Sequence, residues 1–403
     1  MLALNPGTLM EALDMPARSH WWFRALLLAV LLPAGLARVP VLAAQDEAEH
    51  ATPWRLSYFP YIAGLANDGP AYFLRARYWQ PAEYEARNTY TAALDGAVGA
   101  TAEGSRLALL RFRAPGLWKD WRLDALLGAE RLVRYGYFGL GNATEKNDDL
   151  VTEDTPFIYR VRRIRYEGRV EVTRRISGPF HAALRAAAVD MKYTTLPGPA
   201  LFINDFGEGL DEDEVSGRLA LLYDTRNNEY NTTRGLFAEA GVQVGDAEES
   251  YTRVYGVFTG YYPVREGTVI AGRLGGSGTE GTPTLYARAS VPAWDREIPV
   301  LGGENSHRSF DTGRFLGDGT LFANLEVRHD LFPFGDLGSV TLVGFLDAGR
   351  VFEDESFRLT TEDLHVGGGG GVAVRILRTA IFVFNFAGGP DGFNFSFGNG
   401  WMF

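Results

Sequence analysis

The residues able to do chemistry are few and scattered. Beyond residue 44, histidines occur at His50, His181, His307, His329 and His365, and no two of them have the i, i+4 spacing of a helical zinc site. Cysteine is absent, which excludes a thiolate metal site, a thiol nucleophile and a disulfide framework. Ser306-His307, with Ser309 nearby, has the residue types of a lipase or esterase. Adjacent loop residues seldom point at each other, however, and no third member is marked. Glu208 and Asp211 to Glu214 could supply calcium oxygens, but they lack the fixed spacing and central glycine of a calcium loop, so they read as a solvated loop. Gly139-Leu140-Gly141 ends a strand with no helix after it, which makes a poor phosphate cradle. The expectation is a protein that is not an enzyme and holds no cofactor or metal.

The elements that must position these residues are strands. The 403 residues are 46% hydrophobic and 22% charged, a balance unlike that of disordered chains. A net charge of -11 argues against nucleic acid as a partner. The long apolar run is N-terminal: Arg18 and Arg24 flank Trp21-Trp22-Phe23, Ala25 to Leu32 follow, and Val41-Leu42-Ala43-Ala44 gives a small-residue exit. That order predicts a signal peptide over 1–44, then a short periplasmic linker over 45–53. A linker of that length is expected to be too small for a soluble domain.

From residue 54 to 403 the chain alternates with period two. Arg163, Arg165, Glu167, Arg169 and Glu171 share one face of a strand, while Ile164, Tyr166, Gly168, Val170 and Val172 share the other. Asn324, Glu326, Arg328 and Asp330 likewise oppose Leu321, Ala323, Leu325 and Val327. Such segments number about 16, with short and long connections taking turns, as in an antiparallel transmembrane β-barrel of the outer membrane. Short connections fall near 81–88, 115–120, 177–179, 227–233, 264–267, 333–338 and 377–379. Long ones fall at 139–156, 194–214, 277–319 and 353–363. The all-β fold expected is therefore one barrel, with its short turns in the periplasm. The C-terminus carries Ser396, Gly398, Trp401 and Phe403 in a polar-x-Gly-x-x-aromatic-x-aromatic ending, with Phe393, Phe395 and Phe397 on the same alternation. This resembles the C-terminal insertion signal of bacterial outer-membrane proteins, and aromatic residues are well placed at a membrane interface.

Three further motifs carry a family resemblance. Tyr223-Asp224-Thr225-Arg226-Asn227-Asn228 precedes Thr233-Arg234-Gly235; Leu301-Gly302-Gly303 precedes Arg308-Ser309-Phe310 and Gly317-Asp318-Gly319; Leu325-Glu326-Val327-Arg328 precedes Gly344-Phe345-Leu346-Asp347-Ala348-Gly349. In this order they resemble the outer-membrane assembly and translocation barrels of the BamA/TamA type, the bacterial surface antigen family. The match runs over roughly residues 215–403, with Ser309 where the family has glycine. The resemblance implies Asp224, Arg226 and Gly235 as a strand-turn signature. It also implies a loop at about 277–319 folded into the lumen and carrying Arg308 and Phe310.

The residues themselves add a physical reading of that loop. Apolar neighbours aim Asp347 and Glu326 into the lumen, and one guanidinium can bridge two carboxylates with directed hydrogen bonds. Arg308 is therefore expected to pair with Asp347, with Glu326 as a second carboxylate. The five glycines Gly367 to Gly371 leave room for the loop, or else permit bending. The function implied is insertion or translocation of polypeptides, or of lipids, at the outer membrane of a Gram-negative cell. The expected partners are outer-membrane lipid and lipopolysaccharide, an unfolded client polypeptide, or a separate periplasmic protein. The alternative is a passive pore with the inward loop as its constriction.

Overall fold

The computed structural model describes residues 52–403, apart from 66, 84–85, 295–296, 354–356 and 378–379. The expected signal peptide, and residues 45–51 of the expected linker, lie outside the described residues. From Arg55 the alternating segments are strands. The first six are β1 (Arg55–Leu65), β2 (Gly69–Pro81), β3 (Tyr90–Thr101), β4 (Arg106–Ala114), β5 (Trp121–Gly136) and β6 (Arg160–Ser177). They are followed by β7 (Phe180–Thr195), β8 (Gly209–Asp224), β9 (Gly235–Asp246), β10 (Ser250–Arg265) and β11 (Thr268–Gly281). A small ribbon of β12 (Ser290–Val291) and β13 (Ile298–Pro299) interrupts the series. It resumes with β14 (Gly319–Pro333), β15 (Gly338–Phe352), β16 (His365–Ile376), β17 (Ala380–Gly389) and β18 (Gly392–Asn399). Short helices α1 (Phe202–Phe206) and α2 (Leu285–Arg288) sit in two of the connections.

Sixteen of these strands form one antiparallel sheet in the order β1 to β11, then β14 to β18. No described helix is long and apolar enough to cross a membrane. The period of two sorts side chains between a lumen and an outer face. Glu171, Arg185 and Arg218 are buried in the lumen, while Leu184, Leu219 and Leu221 are exposed outside. Among the described residues β1 and β18 share no backbone pairing, so the sheet curls round to a seam that carries no ladder.

The connections alternate as expected. One end has the turns 82–89, 115–120, 178–179, 225–234, 266–267, 334–337 and 377–379. The other has the longer loops 137–159, 196–208, 282–318 and 353–364, with tight hairpins between them. One expectation is corrected here. The acidic stretch 208–214, read as a solvated loop, belongs mostly to β8, because β7 and β8 continue their ladder as far as Thr194 and Gly209. Glu212 and Glu214 therefore point inward and receive the start of α2. Glu212 Oε1 accepts from Leu285 N at 2.8 Å, and Glu214 Oε2 accepts from Thr284 Oγ1 at 2.6 Å.

The core lies inside the barrel. Val291, Ile298, Val300, Leu301, Phe310 and Phe315 of the 282–318 loop pack with wall residues such as Leu222, Phe322 and Val351. The loop thus supplies the apolar surface that a lumen lined by charged strand residues lacks.

Candidate functional site: a lumen loop fastened to the barrel wall

Arg308 sits at the centre of the loop's attachment and is only 2% exposed. Alternation on β15 puts Phe345 and Asp347 on the lumen face, and alternation on β14 does the same for Asn324, Glu326 and Arg328. Arg308 donates from Nε to Asp347 Oδ2 at 2.9 Å and from Nη2 to Oδ1 at 2.8 Å, while its backbone N–H reaches Oδ2 at 3.0 Å. Its remaining nitrogen, Nη1, donates to Glu326 Oε1 at 2.5 Å. The guanidinium also lies 3.5 Å from the Phe345 ring centroid, a cation–π contact in a desolvated place. Asn324 completes the cluster, donating to Asp347 Oδ1 at 2.8 Å and to Ser306 O at 2.7 Å. A buried guanidinium is tolerable only with its charge matched and its donors used, and here both carboxylates and a ring supply that. Phe310 is buried edge-on against Phe315 and His365.

The glycine run resolves into a cradle. A Cβ on Gly367 would stand 2.1 Å from Ser309 Oγ, and one on Gly389 would stand 2.8 Å from Ser309 Cβ. Ser309 thus fills space that β16 and β17 leave by having no side chain there. The same segment touches the last strand: Asn394 Nδ2 on β18 donates to the carbonyls of Arg308 at 3.0 Å and Phe310 at 3.1 Å. His307, beside Arg308, is buried, and burial pushes its imidazole below the usual histidine value.

The strand-turn signature lies at the short-turn end. Arg226 chelates Asp224 through Nε at 3.0 Å and Nη2 at 2.8 Å, while Arg87 from the 82–89 turn also bonds Asp224. Gly235 has φ +110°, and a Cβ there would strike Thr225 O at 2.4 Å, so the turn demands glycine. The inward loop reaches this signature. Trp294 stacks on Phe237 at 5.7 Å between centroids, lies within 5.7 Å of the Arg226 guanidinium, and donates from its backbone to Glu239 Oε2 at 2.6 Å.

Trp294 and its anchors carry no signature in the sequence. Arg185 Nη2 donates to Ala293 O at 2.8 Å. Arg185 and Arg218 share Glu171, and Arg218 also faces Glu239 at 3.2 Å. The lumen face holding Glu171 and Arg218 is legible in the alternation, but nothing local marks Trp294 as its guest.

The C-terminal residues also differ from expectation. Ser396 and Gly398 lie on β18, Gly398 beside Glu304 of the loop, and Phe393 and Phe395 are exposed on the outer face. The strand stops at Asn399, Gly400 takes φ +95°, and Trp401 and Met402 become buried in the lumen. Trp401 Nε1 donates to Asn231 Oδ1 at 2.8 Å, and Arg328 lies over the Trp401 ring at 4.2 Å and donates to Phe403 O at 3.1 Å. Arg328 also binds Glu326 at 2.6 Å, so one chain of contacts runs from Arg308 through Glu326 to the last residues.

Fold and site together define a class: an outer-membrane type of β-barrel whose lumen is occupied by its own loop, with an unlaced seam. The sequence matches the Omp85 superfamily domain over residues 94–401, and the chain belongs to that superfamily, whose barrels are outer-membrane proteins. Its fold is similar to that of BamA from Haemophilus ducreyi lacking POTRA domains 1–3, at 14% identity and TM-score 0.55, covering 87% of this chain and 71% of that one. It is also similar to CdiB from Escherichia coli, at 12% identity and TM-score 0.57, covering 86% and 63%. CdiB from Acinetobacter baumannii matches at 12% identity and TM-score 0.50, covering 86% and 65%. This chain thus spans less than two thirds of either CdiB. No curated protein matches by sequence.

Proposed function

We propose that this barrel resides in the outer membrane, long loops outside and short turns in the periplasm, and assists polypeptide insertion or translocation there without covalent chemistry. The seam carries the proposal. β1 and β18 each pair on one side only, which leaves strand edges able to receive another strand. The lumen beside that seam is occupied by a loop that touches β18 through Asn394. A lumen filled by packed loop residues favours a polypeptide-handling role over a passive pore. Loading of clients by a separate periplasmic protein is part of the same reading.

The test is site-specific photocrosslinking in cells. A photoreactive residue replacing Phe59 on β1 or Phe395 on β18 should capture newly exported polypeptide. One replacing Leu184 on the distant outer wall should not. Equal yields from all three positions, or no capture together with a steady ion conductance, would favour the pore.

A further inference from the structure

The two edges of the seam are not equivalent, because one of them contains a proline. β1 is a strand of 11 residues with Pro60 at its centre, opposite Leu74 in a register without a shift. Along an antiparallel strand, successive residues point their backbone groups alternately to one side and to the other. Leu65 O accepts from Asp68 N at 3.0 Å across the hairpin, so Leu65, Ala63, Tyr61 and Phe59 turn their backbone groups to β2. Leu56, Tyr58, Pro60, Ile62 and Gly64 turn theirs to the seam. Pro70 obeys the same alternation. It lies opposite Gly64 with its nitrogen towards β3, and the ladder of β2 with β3 begins only at Ala71. Proline has no N–H, and its ring carbon takes the donor's place. The row of donors along the β1 edge is therefore broken at its midpoint.

β18 has no such break. Gly400 N donates to Ile381 O at 2.7 Å, so the even-numbered residues of β18 turn to β17. Phe393, Phe395, Phe397 and Asn399 turn to the seam, and all four carry an N–H. Among the described residues none of them has a backbone partner across the seam. The 8 residues of β18 form an unbroken edge of about 27 Å, close to the ~30 Å of a hydrocarbon core. Each half of β1 beside Pro60 offers only about 17 Å. A strand laid along the whole of β1 would bring a carbonyl against the proline ring, where no water replaces the missing donor. β18 is also the better held edge. Asn394 binds two loop carbonyls, whereas Arg55 to Pro60 are all exposed.

We propose that an incoming polypeptide strand adds to β18, and that Pro60 bars it from pairing along the length of β1. The occupant is an extended segment of alternating apolar and polar residues. Its apolar side chains lie beside Phe393 and Phe395, which are exposed on the outer face, and its polar ones beside Asn394 and Ser396 on the lumen side. This deepens the strand-receiving role proposed above and rests on it.

The experiment is residue-resolved amide hydrogen exchange of the full-length barrel in lipid nanodiscs, with and without a synthetic peptide of alternating leucine and threonine, about ten residues long. The peptide should slow exchange at Phe393, Phe395, Phe397 and Asn399 by about tenfold or more, and leave Ile62 and Gly64 unchanged. Pro60→Ala restores the donor, and Ile62 and Gly64 should then slow as well. Equal slowing of both edges with Pro60 in place, or no slowing at Ile62 and Gly64 in the folded Pro60→Ala barrel, would overturn the proposal and leave strand reception standing. Slowing at neither edge would overturn strand reception itself, and the proposal with it. If the variant fails to fold, the comparison of the two edges in the unaltered protein decides alone.

Discussion

Two parts of the wall face the same lumen and are built oppositely. Along β14 to β16 the backbone ladder is continuous, and the inward face is fastened to the loop by Arg308, Asp347, Glu326 and Asn324. At the β1–β18 boundary the ladder is missing among the described residues, and the inner face of β18 holds the loop by the two Asn394 hydrogen bonds and by the closeness of Gly398 to Glu304. The difference teaches where the barrel can yield. A ladder edge without a partner opens at the cost of side-chain contacts, whereas parting β14 from β15 would break backbone bonds and a buried ion cluster together. The loop bridges both regions, and its rigid attachment is at the lock.

The largest effect should come from breaking the lock itself. Removing one partner of a buried charge cluster typically costs about 3–5 kcal/mol because it strands the others. Arg308→Ala and Asp347→Ala should each release the loop, seen as increased single-channel conductance and protease access near residue 308. The double variant should be little worse than either single one, since the two residues act as a unit. Additive effects would separate them.

The glycine cradle offers a sharper probe. Gly367→Ala puts a methyl into Ser309 and should destabilise the loop by about 1–3 kcal/mol through overpacking. Adding Ser309→Gly should recover most of that loss in thermal unfolding. Failure of the rescue would mean that the clash is with Gly388 O of the wall, at 3.0 Å, and not with the loop.

Trp294→Ala should loosen the loop tip while leaving the Arg308 cluster intact, costing about 2 kcal/mol for a partly buried indole. The readout is greater protease access near residue 294 without a change near 308. The smallest effect is a pH dependence. Burial favours neutral His307, so its folded value lies below that of the unfolded chain. The loop should hold fully above about pH 6.5 and weaken as pH falls below that, because the unfolded chain then takes up a proton more readily. His307→Gln should flatten this slope, measured as conductance or unfolding temperature between neutral and mildly acid pH.

The sequence makes the lock legible because its carboxylates sit on clean period-two strands, and alternation alone turns Glu326 and Asp347 inward. The length of the 282–318 loop permits Arg308 to reach them. Trp294 was not legible, since its partners Glu239, Thr173 and Phe237 come from strands far away in sequence and none forms a pattern with it. The inward turn of Trp401 was hidden for a different reason. Alternation continues past Asn399 on paper, and only the left-handed conformation at Gly400 reverses the direction of the last residues. The acidic part of β8 has the composition of a solvated loop, although Glu212 and Glu214 serve the lumen by holding the start of α2.

The contrast between lock and seam is tested most directly by amide hydrogen exchange on the full-length barrel in lipid nanodiscs, resolved by strand. Exchange in β1 and β18 should be faster by orders of magnitude than in β14 and β15, because only the latter pair on both sides around a buried ion cluster. Equal, high protection of β1 and β18 would show a closed ladder at that boundary and contradict the account.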